Sequence, residues 1–457
     1  MGPDGGTGPP RPVPPPATGS APEPVGAGTR ARSPGVGVLA VVAAANVLLW
    51  VLARPPGQPD DRYLGELVGA EAILLFSCSL VLMTLLRPIE RAFGGLDRVA
   101  LWHRRTAVAG AVLLLPHVAL ATSSAIPDLS PVGTGLGDLA LLGIGFLVIW
   151  ALAPGLHAAR WHGLVGRLAR ATYERWLTAH RLTGIFVAAA LAHAAVVDPV
   201  LDRSTVLRVA FVVTGTAGVC AYLYREFFAS RVLGSHTYRV GAVNRAGPTA
   251  LEVGLDPAGE PIRFTAGQFV VVSFGGLSSW QRHPFSVSSA PSQPRLELAI
   301  RANGDYTKDL YDQLRPGLPA KVVGPFGGFD YRAGGHDQIW IAGGIGITPF
   351  ASWIRSIGED FDRDVDLYYT VHRAQDALYR DELEAVAARC PTLRTHIVST
   401  DQHGVLKAFD VLRGAAGRRN PWVYMCGPPA MVKALDHDLQ RAGVPAGQIR
   451  WENFALR

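Results

Sequence analysis

The fold class that this sequence predicts is multidomain: an all-α six-helix transmembrane bundle, then an antiparallel β-barrel and an α/β nucleotide-binding domain. Three observations predict it. Apolar runs dominate up to about residue 226, short runs of period two begin near residue 236, and buried strands alternate with helical stretches after Gly335. A chain of 457 residues has room for two or three domains. Its mean hydropathy of +0.20, with 49% hydrophobic and 18% charged residues, is high for a soluble protein.

Residues 1–34 are rich in Pro and Gly and have almost nothing to bury, which reads as a disordered cytoplasmic tail. The tail lacks the charged start and apolar core of a cleavable signal peptide, so the first apolar run reads as a retained anchor. Six runs, roughly 36–53, 63–86, 99–122, 136–153, 176–197 and 205–224, approach the length of about 20 residues that a helix needs to cross a bilayer. Arginines crowd the loops after the second run (Arg87, Arg91, Arg98, with Arg104 and Arg105 just beyond) and after the fourth (Arg160, Arg167, Arg170, Arg175). The opposite loops hold only Arg54, Arg62 and Arg203. The positive-inside rule then puts both termini in the cytoplasm, as expected of a multi-pass cell-membrane protein with membrane domain 35–226.

The net charge of +6 is spent largely in those loops and no nucleic-acid motif accompanies it, so nucleic acid is not an expected partner. The four cysteines are scattered without CxxC or CxxH spacing, which argues against a disulfide framework or a zinc site. "YRVGAV", "ALEVGL", "QFVVVSF", "RLELAIRA" and "AKVVG" alternate as strands of a small antiparallel barrel, residues 235–332. "QIWIAGG", "DLYYTVHR" and "WVYMCGP" each lead into a helical stretch, the pattern of a parallel α/β domain over 336–457.

Four histidines lie within the apolar runs themselves. His103 and His117 are fourteen apart in the third run, and His180 and His193 thirteen apart in the fifth. Both runs travel from inside to outside, so His103 faces His180 at the cytoplasmic level and His117 faces His193 at the outer one. Ionisable residues inside a span are functional candidates by default, and two facing histidines can supply both axial ligands of a haem. At about 1.5 Å per residue the levels stand roughly 20 Å apart, so the expectation is two stacked haems. Fourteen residues return near the same helix face; thirteen miss it by roughly 140°. Either the fifth helix is wound irregularly or its ligands approach from different sides. Pro116 introduces an irregularity of its own into the third. Phe186 lies between the levels, Arg104, Arg105 and Arg181 flank the inner pair as candidates for propionates, and Glu71 and Asp138 have no assigned role.

In the second half, "RHPFSVSS" (Arg282 to Ser289) reads as a flavin-cradling segment. Phe285 can pack along the isoalloxazine, Ser286 can bond N5, and Arg282 or His283 can meet the pyrophosphate. "IAGGIGITPF" (Ile341 to Phe350) ends a buried strand in a Gly-rich turn and starts a helix at Pro349, an arrangement suited to phosphates. "MCGPPAMV" puts Cys426, Gly427 and Pro428 at the end of a later strand, where ligands of open α/β sheets gather.

The order HPFS, GGxGxTP, CGPP resembles the ferredoxin-NADP reductase family, and with paired histidines in front, residues 63–457 resemble the ferric reductase/NADPH oxidase superfamily. Fourteen and thirteen are that family's own histidine spacings, and "LDRVALWH" is similar to its usual entry to the third helix. The resemblance implies FAD on His283, Pro284, Phe285 and Ser286, with its pyrophosphate at Thr307 in "GDYTKDL". It implies NADPH (or NADH) along Gly343, Gly344, Gly346, Thr348 and Pro349, with Cys426 and Gly427 near the nicotinamide and Arg373 favouring a 2′-phosphate. Phe454 is similar to the family's flavin-covering aromatic, and Ser286, Cys426 and Phe454 are the expected catalytic contacts. His103, His117, His180 and His193 would bind two haem b. Electrons would pass from cytoplasmic NADPH through FAD and haem to an external acceptor. Superoxide-producing members carry an arginine and a histidine beside the outer haem where this chain has Val68 and Ala121, which favours a ferric complex over oxygen. A superoxide-producing NADPH oxidase and a subunit that delivers electrons to a partner protein are the alternative expectations.

Overall fold

The computed structural model describes residues 34–123, 130–156, 173–229, 234–247, 249–276, 281–358, 361–415, 418 and 420–452. The expected tail (all but its last residue), Arg160, Arg167, Arg170 and Phe454 lie outside these residues, as does the side chain of Ala121. The first half is helical: α1 (Pro34–Leu52), α2 (Asp60–Leu82), α3 (Arg87–Phe93), α4 (Leu96–Ser123), α5 (Pro131–Leu156), α6 (Tyr173–His180), α7 (Thr183–Val197), α8 (Pro199–Arg203) and α9 (Thr205–Leu223). A single π turn, Tyr224–Phe228, ends α9.

Five helices among the described residues are long and apolar enough to cross a membrane: Pro34–Leu52, Asp60–Leu82, Pro131–Ala151, Arg175–Val197 and Thr205–Phe228. The sequence predicts six. The remaining run, α4, has 28 residues, but Arg98, His103, Arg104 and Arg105 crowd its first turns and dilute its apolar character. Its Pro116 does not interrupt it, for α4 is continuous from Leu96 to Ser123. The fifth run does break: Arg181 and Leu182 form a turn between α6 and α7. Helix α3 occupies what reads in sequence as an arginine-rich loop. Pro88 at its start and Gly94 in the left-handed region (φ 78°) bound it, and buried Phe93 anchors it. Glu71 accepts a hydrogen bond from Asn46 Nδ2 at 2.8 Å, tying α2 to α1.

The second half begins with β1 (His236–Arg245), β2 (Ala250–Pro257), β3 (Phe269–Phe274), β4 (His283–Ser286), β5 (Leu296–Arg301), α10 (Asp305–Gln313) and β6 (Pro319–Phe326). These strands form one antiparallel sheet in the order β4-β3-β6-β1-β2-β5, and a bridge between Val287 and Leu298 nearly closes it into a barrel. Alternate residues such as Val240, Val253, Leu255, Val270 and Val272 fill its interior, with Leu310 of α10 as the plug.

Next come β7 (Asp337–Gly343), α11 (Thr348–Arg355), β8 (Asp364–Val371), α12 (Arg380–Arg389), β9 (Leu393–Ser399), α13 (Ala408–Gly414), β10 (Trp422–Cys426), α14 (Pro429–Arg441) and β11 (Ile449–Glu452). The parallel sheet runs β11-β10-β7-β8-β9. Strand order reverses between β7 and β10, so a crevice opens at their carboxyl ends. Phe329 and Tyr331, on the segment after the barrel, stack into the core around Trp340 and Trp353 and weld barrel to sheet. Towards the helical half, Glu90 of α3 accepts the Gly327 backbone N–H at 2.9 Å, and Leu96 packs with Phe269 and Phe326.

Candidate functional site

His103, His117, His180 and His193 form two facing pairs. The ring centres of His103 and His180 lie 6.1 Å apart with planes at 83°, and those of His117 and His193 lie 6.4 Å apart at 82°. The break at Arg181–Leu182 lets α6 and α7 each aim one imidazole, which removes the thirteen-residue difficulty by irregular winding. A bound metal sits about 2 Å from an imidazole nitrogen, so two opposed ligands hold their nitrogens about 4 Å apart and their ring centres one ring radius further back on each side. The observed separations fit that requirement.

The other ring nitrogen of each histidine is engaged by neighbouring helix. His103 Nδ1 meets Ser79 Oγ at 2.7 Å and Ser79 O at 3.0 Å. His117 Nδ1 meets Gly65 O at 2.8 Å, and His193 Nδ1 meets Gly133 O at 2.7 Å. For His180 the partner is Thr183 Oγ1, at a long 3.4 Å. Such bonds fix tautomer and ring direction and leave Nε2 for a metal. The outer pair shares a device that sequence reasoning missed. His117 rests on Gly69, four residues from Gly65, and His193 rests on Gly137, four residues from Gly133. Each outer imidazole thus docks in a GxxxG stretch ("GELVG" or "GTGLG"), which was visible in the sequence. Between the two levels lies an apolar layer that includes Ala72, Phe76, Ile144, Val187 and Phe186, the last over Gly143.

Around the inner pair, Trp176 stacks on His180 with ring centres 4.7 Å apart. Arg104 and Arg105 are exposed. Arg181, a candidate for a propionate, pairs with Glu226 of the π turn, its Nε 2.7 Å from Oε2.

The flavin-type motif lies on β4, at one edge of the barrel sheet. Ser286 is buried and its Oγ has no hydrogen-bond partner among the described residues, a donor left for a bound group. Phe285 is half-buried against the barrel core, next to Pro284. His283 stacks on Tyr306, centres 3.8 Å apart, and its Nε2 lies 3.0 Å from Gln281 Oε1. Arg282 is exposed and lies within electrostatic reach of Arg225 in the π turn, so this motif lies near the helical half. Thr307, in the first turn of α10, accepts from Asn303 N at 2.8 Å and shapes the "GDYT" turn.

The nucleotide-type motifs meet in the crevice. A Cβ on Gly346 would strike the carbonyl oxygen of Cys426, one on Gly343 would come within 2.8 Å of Pro428, and one on Gly427 within 3.0 Å of Gly343. Gly344 has φ +53°, so the turn needs glycine there for its conformation. Thr348 Oγ bonds Ile345 O at 2.7 Å, and Pro349 starts α11 as expected of an anion-accepting helix terminus. Cys426 is fully buried, and burial, with the Glu452 carboxylate beside it, pushes its thiol well above the ordinary value. Arg373 is exposed just beyond β8, its backbone N–H held by Asp376 Oδ2 at 3.2 Å. Arg301, which the sequence did not single out, extends from the end of β5 to lie 3.1 Å from where a Gly344 Cβ would stand. The barrel thereby presents a guanidinium over the turn.

Residues 238–324 match the family described as FAD-binding domain, and residues 340–437 match the oxidoreductase NAD-binding domain. The ferredoxin–NAD(P)(+) reductase component of the naphthalene 1,2-dioxygenase/salicylate 5-hydroxylase systems of a Ralstonia species is 30% identical over 205 residues, 43% of this chain; the chain spans 62% of that relative's length. Ferredoxin–NADP reductase B of Sorangium cellulosum is 29% identical over 235 residues, 47% of this chain and 96% of that one. The crystal structure of Amycolatopsis cytochrome P450 reductase GcoB aligns with TM-score 0.43 and 26% identity over 48% of this chain and 70% of its own. The second half of the chain is an FAD-binding and NAD-binding module of the ferredoxin-NADP reductase type.

Proposed function

We propose that this chain is a multi-pass membrane oxidoreductase with both termini in the cytoplasm, carrying electrons from cytoplasmic NADPH through FAD and two bis-histidine haems to an acceptor on the far side. It rests on six spans, α4 being the sixth. The carrying observation is the pair of opposed imidazoles at each end of the α4 and α6–α7 stretch, 6.1 and 6.4 Å between ring centres, with each Nδ1 engaged by protein. FAD supplies the change from a two-electron donor to single electrons, and haem supplies one-electron passage across the bilayer.

The chain's own residues position these groups. Gly343, Gly344 and Gly346 let the backbone approach a dinucleotide, Ser286 offers its hydroxyl to the flavin, and Cys426 closes the crevice floor as a neutral thiol. His103 with His180 and His117 with His193 would hold the two haems, which would supply one-electron passage outward, and a ferric complex is the acceptor this reading favours.

An anaerobic absorbance spectrum of the detergent-purified chain, before and after NADPH, tests the reading. Sharp reduced-haem bands at about two haems per chain are expected from the two imidazole pairs; flavin bleaching without a haem signal in well-loaded protein sinks it. A second reading, delivery of electrons to a partner protein, is favoured by the Ralstonia relative, whose name makes it the reductase component of an oxygenase system. It predicts that the reduced chain is reoxidised by such a partner and not by ferric complexes.

A further inference from the structure

The nucleotide turn and the flavin-type motif belong to different domains, and one short helix spans the gap. Helix α11 takes its first residues from the nucleotide turn, at Thr348 and Pro349. Its other end is bolted to the barrel just before β3 and just past β4. Ser352 Oγ donates to Ser289 O at 2.7 Å, Trp353 Nε1 donates to Ala266 O at 3.1 Å, and Arg355 Nη1 donates to Ser288 O at 3.1 Å. Ser288 and Ser289 directly continue the His283–Ser286 strand. Two residues of backbone separate Ser286 from the point where α11 is held.

Arg355 is the hub of this joint. Its Nη1 also reaches Glu297 Oε2 of β5 at 2.7 Å, while Nε and Nη2 take both oxygens of Glu382 on α12, each at 2.7 Å. The guanidinium lies over the Tyr379 ring, 4.9 Å from its centre, and the side chain is only 15% exposed. One guanidinium is therefore forked between a barrel carboxylate and a carboxylate of the α/β domain. A bidentate fork fixes direction as well as distance, which a single-point lysine contact does not.

We propose that Arg355 is a positioning residue for hydride transfer, setting through α11 how the nicotinamide lies against the flavin; this rests on the reading of the module as an NAD(P)H-to-FAD reductase. The hydride leaves the nicotinamide with both electrons, oxidising it, and is taken up by the flavin, which is reduced. Arg355 neither gives nor takes a proton. Its contribution is geometric, and a displacement of about 1 Å at the reacting atoms can cost on the order of 100-fold in rate.

The test uses the full chain in detergent under anaerobic stopped flow with NADPH and, in parallel, NADH. Three readouts are taken for wild type, R355Q, R355K, E297Q and R355Q/E297Q: the saturating rate of flavin reduction, the apparent nucleotide Kd, and the long-wavelength charge-transfer absorbance of stacked flavin and nicotinamide. FAD content and Tm are recorded for each. R355Q is expected to keep Kd within about threefold, lower the saturating rate by about 10- to 100-fold and lose the charge-transfer band. R355K should recover part of both, and the double variant should be no slower than R355Q, since the two groups act as one contact. If R355Q does not retain FAD, E297Q decides, because it removes only the charge of the barrel arm and leaves the Ser288 and Glu382 bonds. Wild-type rate and band in a folded, FAD-loaded R355Q or E297Q overturn the proposal, as does a rise in Kd alone. A wild-type flavin that neither nucleotide reduces overturns the functional reading itself, a distinct outcome.

Discussion

Replacing Gly69 by alanine puts the histidine pairs to a steric test. A methyl group there would lie 2.5 Å from His117 Nδ1 and 2.8 Å from its Cε1, whereas ordinary contact begins at 3.4 Å. The ring must retreat by about 1 Å. That retreat breaks the 2.8 Å bond to Gly65 O and takes the imidazole off the line to His193. Overpacking of this kind costs about 1–3 kcal/mol, partly offset by about 1 kcal/mol from the better helix propensity of alanine. The fold therefore survives with a small loss, while a metal ligand that must be held to within about 0.5 Å does not. Pyridine-haemochrome quantitation of purified G69A should fall from two haems per chain towards one, with the inner pair's reduced band retained. Gly145 in α5 is the control, since nothing lies within 4 Å of its Cβ position, and G145A should keep both haems. A G69A protein with two haems and an unaltered spectrum would refute the docking of His117 as a ligand.

Three further outcomes follow from the second half of the chain. S286A removes a buried hydroxyl that has no partner among the described residues, so apoprotein Tm should hold or rise slightly. FAD binding, read by fluorescence titration, should weaken by about fivefold, the equivalent of about 1 kcal/mol for one hydrogen bond. Cys426, fully buried with its thiol pushed up by burial, should resist iodoacetamide in the native chain and react after denaturation; prompt native labelling at mildly alkaline pH would contradict the closed crevice floor. Burial raises the Glu252 carboxyl above the usual carboxylate range, with Arg355 pulling the other way. The native state then holds a proton that the unfolded chain has released, so stability falls as pH rises from the ordinary carboxylate value through the raised one. E252Q should flatten the Tm profile across that window and raise Tm above it; an unchanged profile would count against the shift.

Much of this is legible in the sequence. The three motifs were found in order because each is local: a turn that needs glycine, a helix that starts at proline, a strand that ends in Cys-Gly-Pro. The histidine pairing was legible from depth alone. The break at Arg181–Leu182 was not, since no Pro or Gly marks it, and a thirteen-residue spacing says only that something must give. Helix α3 was missed although Pro88 and Gly94 bracket it, because seven residues hold a helical shape through the packing of Phe93 and Ile89 on neighbours that a sequence does not reveal. Arg301 and Arg355 look like solvated arginines on paper. Their roles depend on which carboxylate or turn the tertiary fold brings within 3 Å. Arg181 is a candidate for a propionate by proximity in sequence, and the fold pairs it with Glu226, forty-five residues on, a partner that the sequence does not reveal.

The two GxxxG stretches have a meaning for how such spans are read. In an apolar helix that spacing normally announces a seam where a second helix, often a second copy, can pack closely. Here the gap left by Gly69 and Gly137 is already filled from within by His117 and His193, so neither face is on offer to another subunit. The acceptors beside those gaps are main-chain carbonyls of Gly65 and Gly133, which no side-chain replacement removes. The inner pair depends partly on the hydroxyls of Ser79 and Thr183, which a single codon can erase. Divergence among relatives built this way can retune the His103–His180 end by ordinary substitution, while the His117–His193 end can change only by giving up its glycines.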